Sequence, residues 1–247
     1  MIPLIVNIPH AGLELPGDIP FLLDGDELFS VVQHMADLYT DEWIDASETI
    51  YPVVAKTARI VVDTERFVDD ALETAAQYGQ GVIYERDYKG RLLRHKPSQP
   101  ERELLLEKYY HPHHQQLNQH CAESLRRYGR AMILDLHSYP ASYNMGSGQG
   151  EETPDVCIGF DTPHYSESTL ANLAATIKQL GFTCSLNAPF AGSLVPSDFF
   201  GNPLVHSYML EIKRSLYMNE ATFERNTEGM ERVKLLLHNV VQLLQTH

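Results

Sequence analysis

The sequence predicts an α/β fold: a mixed, mostly parallel central sheet flanked by helices. Two observations carry that expectation. Short apolar runs alternate with longer amphipathic stretches along the chain, the order of strands joined by crossover helices. Several of those runs are apolar throughout rather than at every second residue, as strands covered on both faces are. At 247 residues the chain suits one large domain, 1–247, and no linker-like change of composition interrupts it.

The strands are expected at residues 3–8, 51–57, 59–63, 131–136, 155–160, 182–186 and 205–212. Helices are expected at 40–47, at 101–127, at 166–180, where Gly181 supplies a C-cap, and at 229–245. The last of these sets Met230, Val233, Leu237, Val240 and Leu244 on one stripe, the spacing of a helix docked on a core. Residues 79–99 and 139–153 are rich in Gly, Ser, Gln and charge and read as loops able to border a site. In parallel sheets such sites form beyond the carboxyl ends of the strands.

With 33 acidic against 19 basic residues and a formal charge of −14, the chain is a poor partner for nucleic acid or anionic membrane, which call for clustered Lys and Arg. No run approaches the ~20 apolar residues of a membrane span. The first residues, Met1 to Val6, lack the basic region and long apolar core of a signal peptide. Three cysteines, Cys121, Cys157 and Cys184, without paired spacing read as reduced thiols, and the expected compartment is the cytoplasm.

Three polar residues stand where a purely structural sheet would not need them. His10 follows the first strand, Asp41 opens a predicted helix, and His137 follows the run Ile133-Leu134-Asp135-Leu136. Two imidazoles and a carboxylate form the ligand set of many catalytic zinc sites and leave a position for water. Each also has an ordinary use: a strand-end histidine on the surface, or an N-cap carboxylate for Asp41. Asp37, four residues upstream of Asp41, is the alternative ligand. Asp135 could orient a ligand histidine. The His111-Pro112-His113-His114 cluster reads as the crown of a helix with Pro112 at its first position, and as solvated. Arg59 and Arg66 bracket a strand-like run and suit a carboxylate, to which a guanidinium donates two parallel hydrogen bonds. Glu211 sits among apolar neighbours in a predicted strand, where a carboxylate needs a partner or a task such as general-base catalysis.

Taken in order, Ile8-Pro9-His10-Ala11-Gly12, Asp37-Leu38-Tyr39-Thr40-Asp41, Arg59 to Arg66, Asp135-Leu136-His137-Ser138, Asn187-Ala188-Pro189-Phe190-Ala191-Gly192 and Leu210-Glu211-Ile212 with Leu216-Tyr217-Met218 resemble the N-formylglutamate amidohydrolase family over about residues 4–220. The resemblance implies a zinc-carboxypeptidase-like, or phosphorylase/hydrolase-like, fold. It also implies one divalent metal, zinc foremost, on His10, Asp41 and His137, with Glu211 as base and with Arg59, Arg66 and Asn187 at the substrate. The substrate would be a small N-acyl acidic amino acid such as N-formyl-L-glutamate, in histidine degradation. A peptidase or other deacylase, or a non-catalytic binding protein, are the alternatives on this fold. Glu65 stands where the family commonly has Asn, His113 replaces a Tyr, Phe190 stands where Tyr is frequent, and His114 matches a family histidine.

Overall fold

A computed structural model describes residues 2–143 and 153–246; most of the expected loop at 139–153 lies outside them. Six strands form one sheet in the order β2-β1-β3-β6-β4-β5. They are β1 (Leu4–Ile8), β2 (Ile50–Val54), β3 (Ala131–Tyr139), β4 (Val156–Gly159), β5 (Cys184–Leu186) and β6 (Val205–Lys213). β1, β3 and β6 run parallel, with Asn7 opposite Asp135 and His137 opposite Glu211. β4 pairs antiparallel to β6 and parallel to β5. The sheet is mixed and mostly parallel, as the sequence predicts. All nine residues of β3 are buried, because a neighbour on each side and a packed layer on each face leave no solvent-facing positions.

The helices are α1 (Gly25–Met35), α2 (Gln99–Leu105), α3 (His111–Tyr128), α4 (Glu167–Gln179) and α5 (Thr227–Thr246). In α4 the Ser166 hydroxyl accepts from the Thr169 N–H, an N-cap that fixes where the helix begins. The apolar stripe of α5 is buried as expected, and α4 and α5 pack on each other.

The expected helix at 101–127 is a rod of two α-helices joined by a π turn, Leu106–Tyr110. Pro112 supplies the reason. In a regular helix its ring would meet the Lys108 carbonyl with no N–H to offer. In the π turn the His111 N–H instead bonds Leu106 O, five residues back. The histidine cluster therefore sits inside a continuing rod rather than at a helix start. The expected helix at 40–47 is a single 3-10 turn, Thr40–Glu42, and α1 lay outside the sequence expectations.

The chain folds as two compact units. One comprises Met1–Asn7, Thr40–Pro52 and Leu117–His247; the other comprises Ile8–Tyr39 and Val53–Gln116. The first carries the sheet. The second has its own core, in which Val31 and Val32 of α1 join Ile60, Val61, Val62, Val82, Tyr84, Leu93 and Leu106. Residues 59–63, expected as a strand, have no strand partner there, and Ile60 to Asp63 are buried. Their backbone is satisfied otherwise: the Arg94 guanidinium donates to Ile60 O (2.7 Å), Val61 O (2.6 Å) and Tyr84 O (2.9 Å), and Asp63 N donates to Val82 O. A buried segment can forgo a ladder only when its polar groups find such partners. Burial in turn lowers the Arg94 pKa to about 10.

Candidate metal centre and substrate anchor

In the second unit the chain leaves β1 and carries His10 into a tight approach on residues 55–56. A side chain on Gly12 would overlap the Lys56 carbonyl carbon and oxygen at 2.3 Å, so glycine is required two residues after the histidine. His10 is buried, with Nε2 2.8 Å from Asp63 Oδ1 and Nδ1 3.4 Å from Asp37 Oδ2. Asp37 is buried just after α1, and its N–H donates to His10 O at 2.9 Å. Two residues on, Tyr39 takes a left-handed φ of 69°, a conformation a bulky residue adopts only where its surroundings impose it.

Asp63 is a hub. Its Oδ1 accepts from the Glu65 N–H at 3.0 Å as well as facing His10. Its Oδ2 accepts from Arg59 Nη2 (2.8 Å) and Nε (3.1 Å) and from the Tyr84 hydroxyl (2.7 Å). Burial alone would raise its pKa, but Arg59, His10 and Arg66 outweigh it and hold the carboxyl well below the usual range. For His10, burial and the Arg59 charge pull the pKa down; Asp63 and Asp37 outweigh them and leave it raised.

Arg59 is thus paired with Asp63, the carboxylate that faces His10. Arg66 differs. It lies 3.8 Å from Asp63, is 30% exposed, and its buried Nε has no hydrogen-bond partner. Its peptide is gripped from the helical rod, where the Tyr110 hydroxyl donates to Arg66 O (3.1 Å) and His114 Nε2 lies 2.8 Å from Thr64 O.

In the sheet-bearing unit, His137 near the end of β3 has Nε2 3.0 Å from Asp135 Oδ1. Asn7 Nδ2 donates to that same oxygen (2.8 Å), and the Leu194 N–H donates to Oδ2 (2.9 Å). Asp135 is therefore the carboxylate that orients His137, as the sequence allows. Glu211 stands in register with His137, so the two side chains leave the sheet on the same face from strands about 4.8 Å apart. On its other side Glu211 pairs with Cys157, whose thiol pKa is pushed up by burial. β1 and β3 run parallel with Asn7 opposite Asp135, so both strands end at the same edge of the sheet.

The structure also places Asp41 and Asn187. Asp41 is exposed in the 3-10 turn, because the chain makes one turn there instead of a helix; the buried carboxylate against His10 is Asp37. Asn187 also takes a left-handed φ, 50°. Its side chain accepts from Phe160 N (2.9 Å) and Gly192 N (3.3 Å) and donates to Phe160 O (3.1 Å). It ties the end of β4 to the loop after β5. Asp63 lies within the Arg59 to Arg66 run, where nothing in the sequence marks it as a hub, and Tyr84 and Tyr110 carry no sequence signal.

The sheet-bearing unit thus holds a buried histidine–carboxylate pair near the end of β3 with a glutamate in register, and the other unit holds a second buried histidine–carboxylate pair: an α/β protein with acid–base groups in place. A model of the N-formylglutamate amidohydrolase family matches residues 2–218; the chain belongs to that family of hydrolases. An N-formylglutamate deformylase of Pseudomonas putida is 26% identical over 256 residues, covering 98% of this chain and 92% of that one. The crystal structure of an N-formylglutamate amidohydrolase from Ralstonia eutropha JMP134 superposes with a TM-score of 0.84 at 22% identity, covering 99% and 95% of the two chains. A gene product of Agrobacterium tumefaciens follows at a TM-score of 0.65 and 17% identity, over 98% and 90%. These two likenesses define the fold. Among the described residues no helix is long and apolar enough to cross a membrane.

Proposed function

We propose that the protein hydrolyses the N-acyl amide of an acidic amino acid, N-formyl-L-glutamate foremost, with one divalent metal held by His10, Asp37 and His137. The observation that carries this reading is that each candidate ligand histidine presents Nε2 to a buried carboxylate, Asp63 for His10 and Asp135 for His137. Metal-binding imidazoles are held in this way, which fixes the tautomer and leaves the other nitrogen as the ligand atom. For His10 that nitrogen, Nδ1, is the one turned to Asp37. All three residues are buried and of metal-ligating type. A nitrogen and oxygen donor set without thiolate suits zinc.

Such an ion supplies polarisation of the acyl carbonyl and a water whose pKa falls to ~7. The chain's own residues supply the rest. Glu211 takes the proton of the attacking water and passes it to the departing amine, so that the C–N bond breaks to an acid and a free amino group. Arg66 holds the substrate's side-chain carboxylate through its planar fork. Asp63 and Asp135 keep both imidazoles in the ligating tautomer. The family match and the P. putida deformylase support the choice of a formyl group and glutamate.

The test is metal analysis of the purified protein followed by amine release from N-formyl-L-glutamate, N-acetyl-L-glutamate and N-formyl-L-glutamine. One metal per chain and preference for the first substrate are expected. Glu211→Gln should keep the metal and lose turnover by ~10²–10⁴-fold. Full activity after chelation, or near-normal turnover in Glu211→Gln, would overturn the mechanism.

A further inference from the structure

The π turn in the helical rod does more than accommodate a proline. A π turn holds one residue more than an α turn, so the helix beyond it is rotated by about 100° relative to α2. Tyr110 closes that turn and His114 lies four residues on, on the same helical face. Their rings stack at 4.1 Å and 25°. From this stacked pair the Tyr110 hydroxyl reaches Arg66 O and His114 Nε2 reaches Thr64 O. The peptide from Thr64 to Arg66 is therefore held at both ends, in a stretch that has no strand ladder to fix it.

We infer that Tyr110 and His114 are positioning residues for substrate specificity: the pair, set by the π turn at Pro112, clamps the 64–66 backbone so that the Arg66 guanidinium meets the substrate carboxylate in one orientation. The inference rests on the reading above that Arg66 anchors that carboxylate. Three observations support it. The Arg66 Nε is buried without a hydrogen-bond partner, a cost that a bound carboxylate relieves. A bidentate Arg–carboxylate pair depends on the direction of the fork as well as on its charge. Burial also lowers the His114 pKa, which favours a neutral ring whose Nε2–H donates to Thr64 O.

The experiment is a double-mutant cycle on the metal-loaded enzyme with N-formyl-L-glutamate and its side-chain amide, N-formyl-L-glutamine. Tyr110→Phe keeps the ring and removes one hydroxyl. It should raise KM for the glutamate substrate by about 3–10-fold, leave its kcat within about twofold, and spare the amide. In an Arg66→Ala background the same change should have no further effect. Pro112→Ala, which permits an unbroken α-helix, should give the same carboxylate-selective defect. Equal losses on both substrates, or a Tyr110→Phe effect that survives in Arg66→Ala, would show that the pair serves the fold and overturn the inference. If Arg66→Ala alone costs both substrates equally, the anchor reading has failed, and the clamp falls with it. Thermal unfolding of each variant separates a misfolded protein from a misaligned one.

Discussion

Replacing Asp63 by Asn probes how the hub acts, because it preserves shape while removing one charge. The amide has a single acceptor oxygen. Turned toward Arg59 and Tyr84, that oxygen keeps three of the five hydrogen bonds of the Asp63 carboxylate, now without charge assistance. The NH2 group then faces His10 Nε2 and the Glu65 N–H. Two donors meet at Glu65, and a buried N–H left without an acceptor costs about 1–3 kcal/mol. Breaking a buried ion pair from one side costs about 3–5 kcal/mol. Arg59 is 16% exposed and keeps its geometric partner, so the combined loss falls near the low end, ~3 kcal/mol. For a chain of this length that lowers Tm by roughly 6–12 °C. The second effect is on the tautomer. The new N–H pushes the His10 proton from Nε2 to Nδ1, the nitrogen needed for the metal, so zinc affinity should fall by about 10–100-fold. Calorimetry of the chelator-stripped variant reads the first effect, and zinc competition against a chromophoric chelator reads the second. A lower Tm with zinc affinity unchanged would refute the tautomer argument and leave Asp63 as a structural hub.

Two further outcomes follow from the geometry. Asp37→Ala should lose metal, whereas Asp41→Ala, an exposed position, should keep metal and activity within about twofold; metal content by mass spectrometry distinguishes them. Burial lowers the His114 pKa in the folded protein, so below about pH 6.5 the unfolded chain binds the extra proton and stability declines with falling pH. His114→Gln should remove that part of the pH dependence, seen as a smaller shift of the urea midpoint between pH 7.5 and 5.5.

The elements that sequence reveals most clearly are those whose pattern admits one explanation. β3 and β6 are long apolar runs with polar residues near their ends, and α5 carries a complete stripe. Residues 59–63 have the same β-branched composition as a strand, yet their carbonyls are satisfied by Arg94, 33 residues beyond Val61, a contact that periodicity cannot show. That Asp37 is buried against His10 while Asp41 is exposed is hidden from the sequence for a related reason. Thr40-Asp41 looks like a helix start, while Asp37 gains its importance from α1 ending just before it. His10, His137 and Glu211 stand out in the sequence as polar residues in or beside apolar runs, and the structure buries all three. Asn187 was named through resemblance, which identifies a shared residue without saying whether it touches substrate or only its own loop.

The strand order carries a consequence for how the chain reaches this state. β6 lies between β3 and β4, yet it is the last strand in the sequence, beginning at Val205. Until it emerges from the ribosome, β3 has a neighbour on one side only, and the β4–β5 pair has nothing to join. The middle of the sheet is filled by long-range parallel pairing, which is slow because loop-closure entropy must be overcome before any contact forms. During that interval the apolar edge of β3 is open to other chains. Expression at low temperature, or with a holdase chaperone present, should therefore raise the soluble yield by acting on this late insertion and not on the stability of the finished fold.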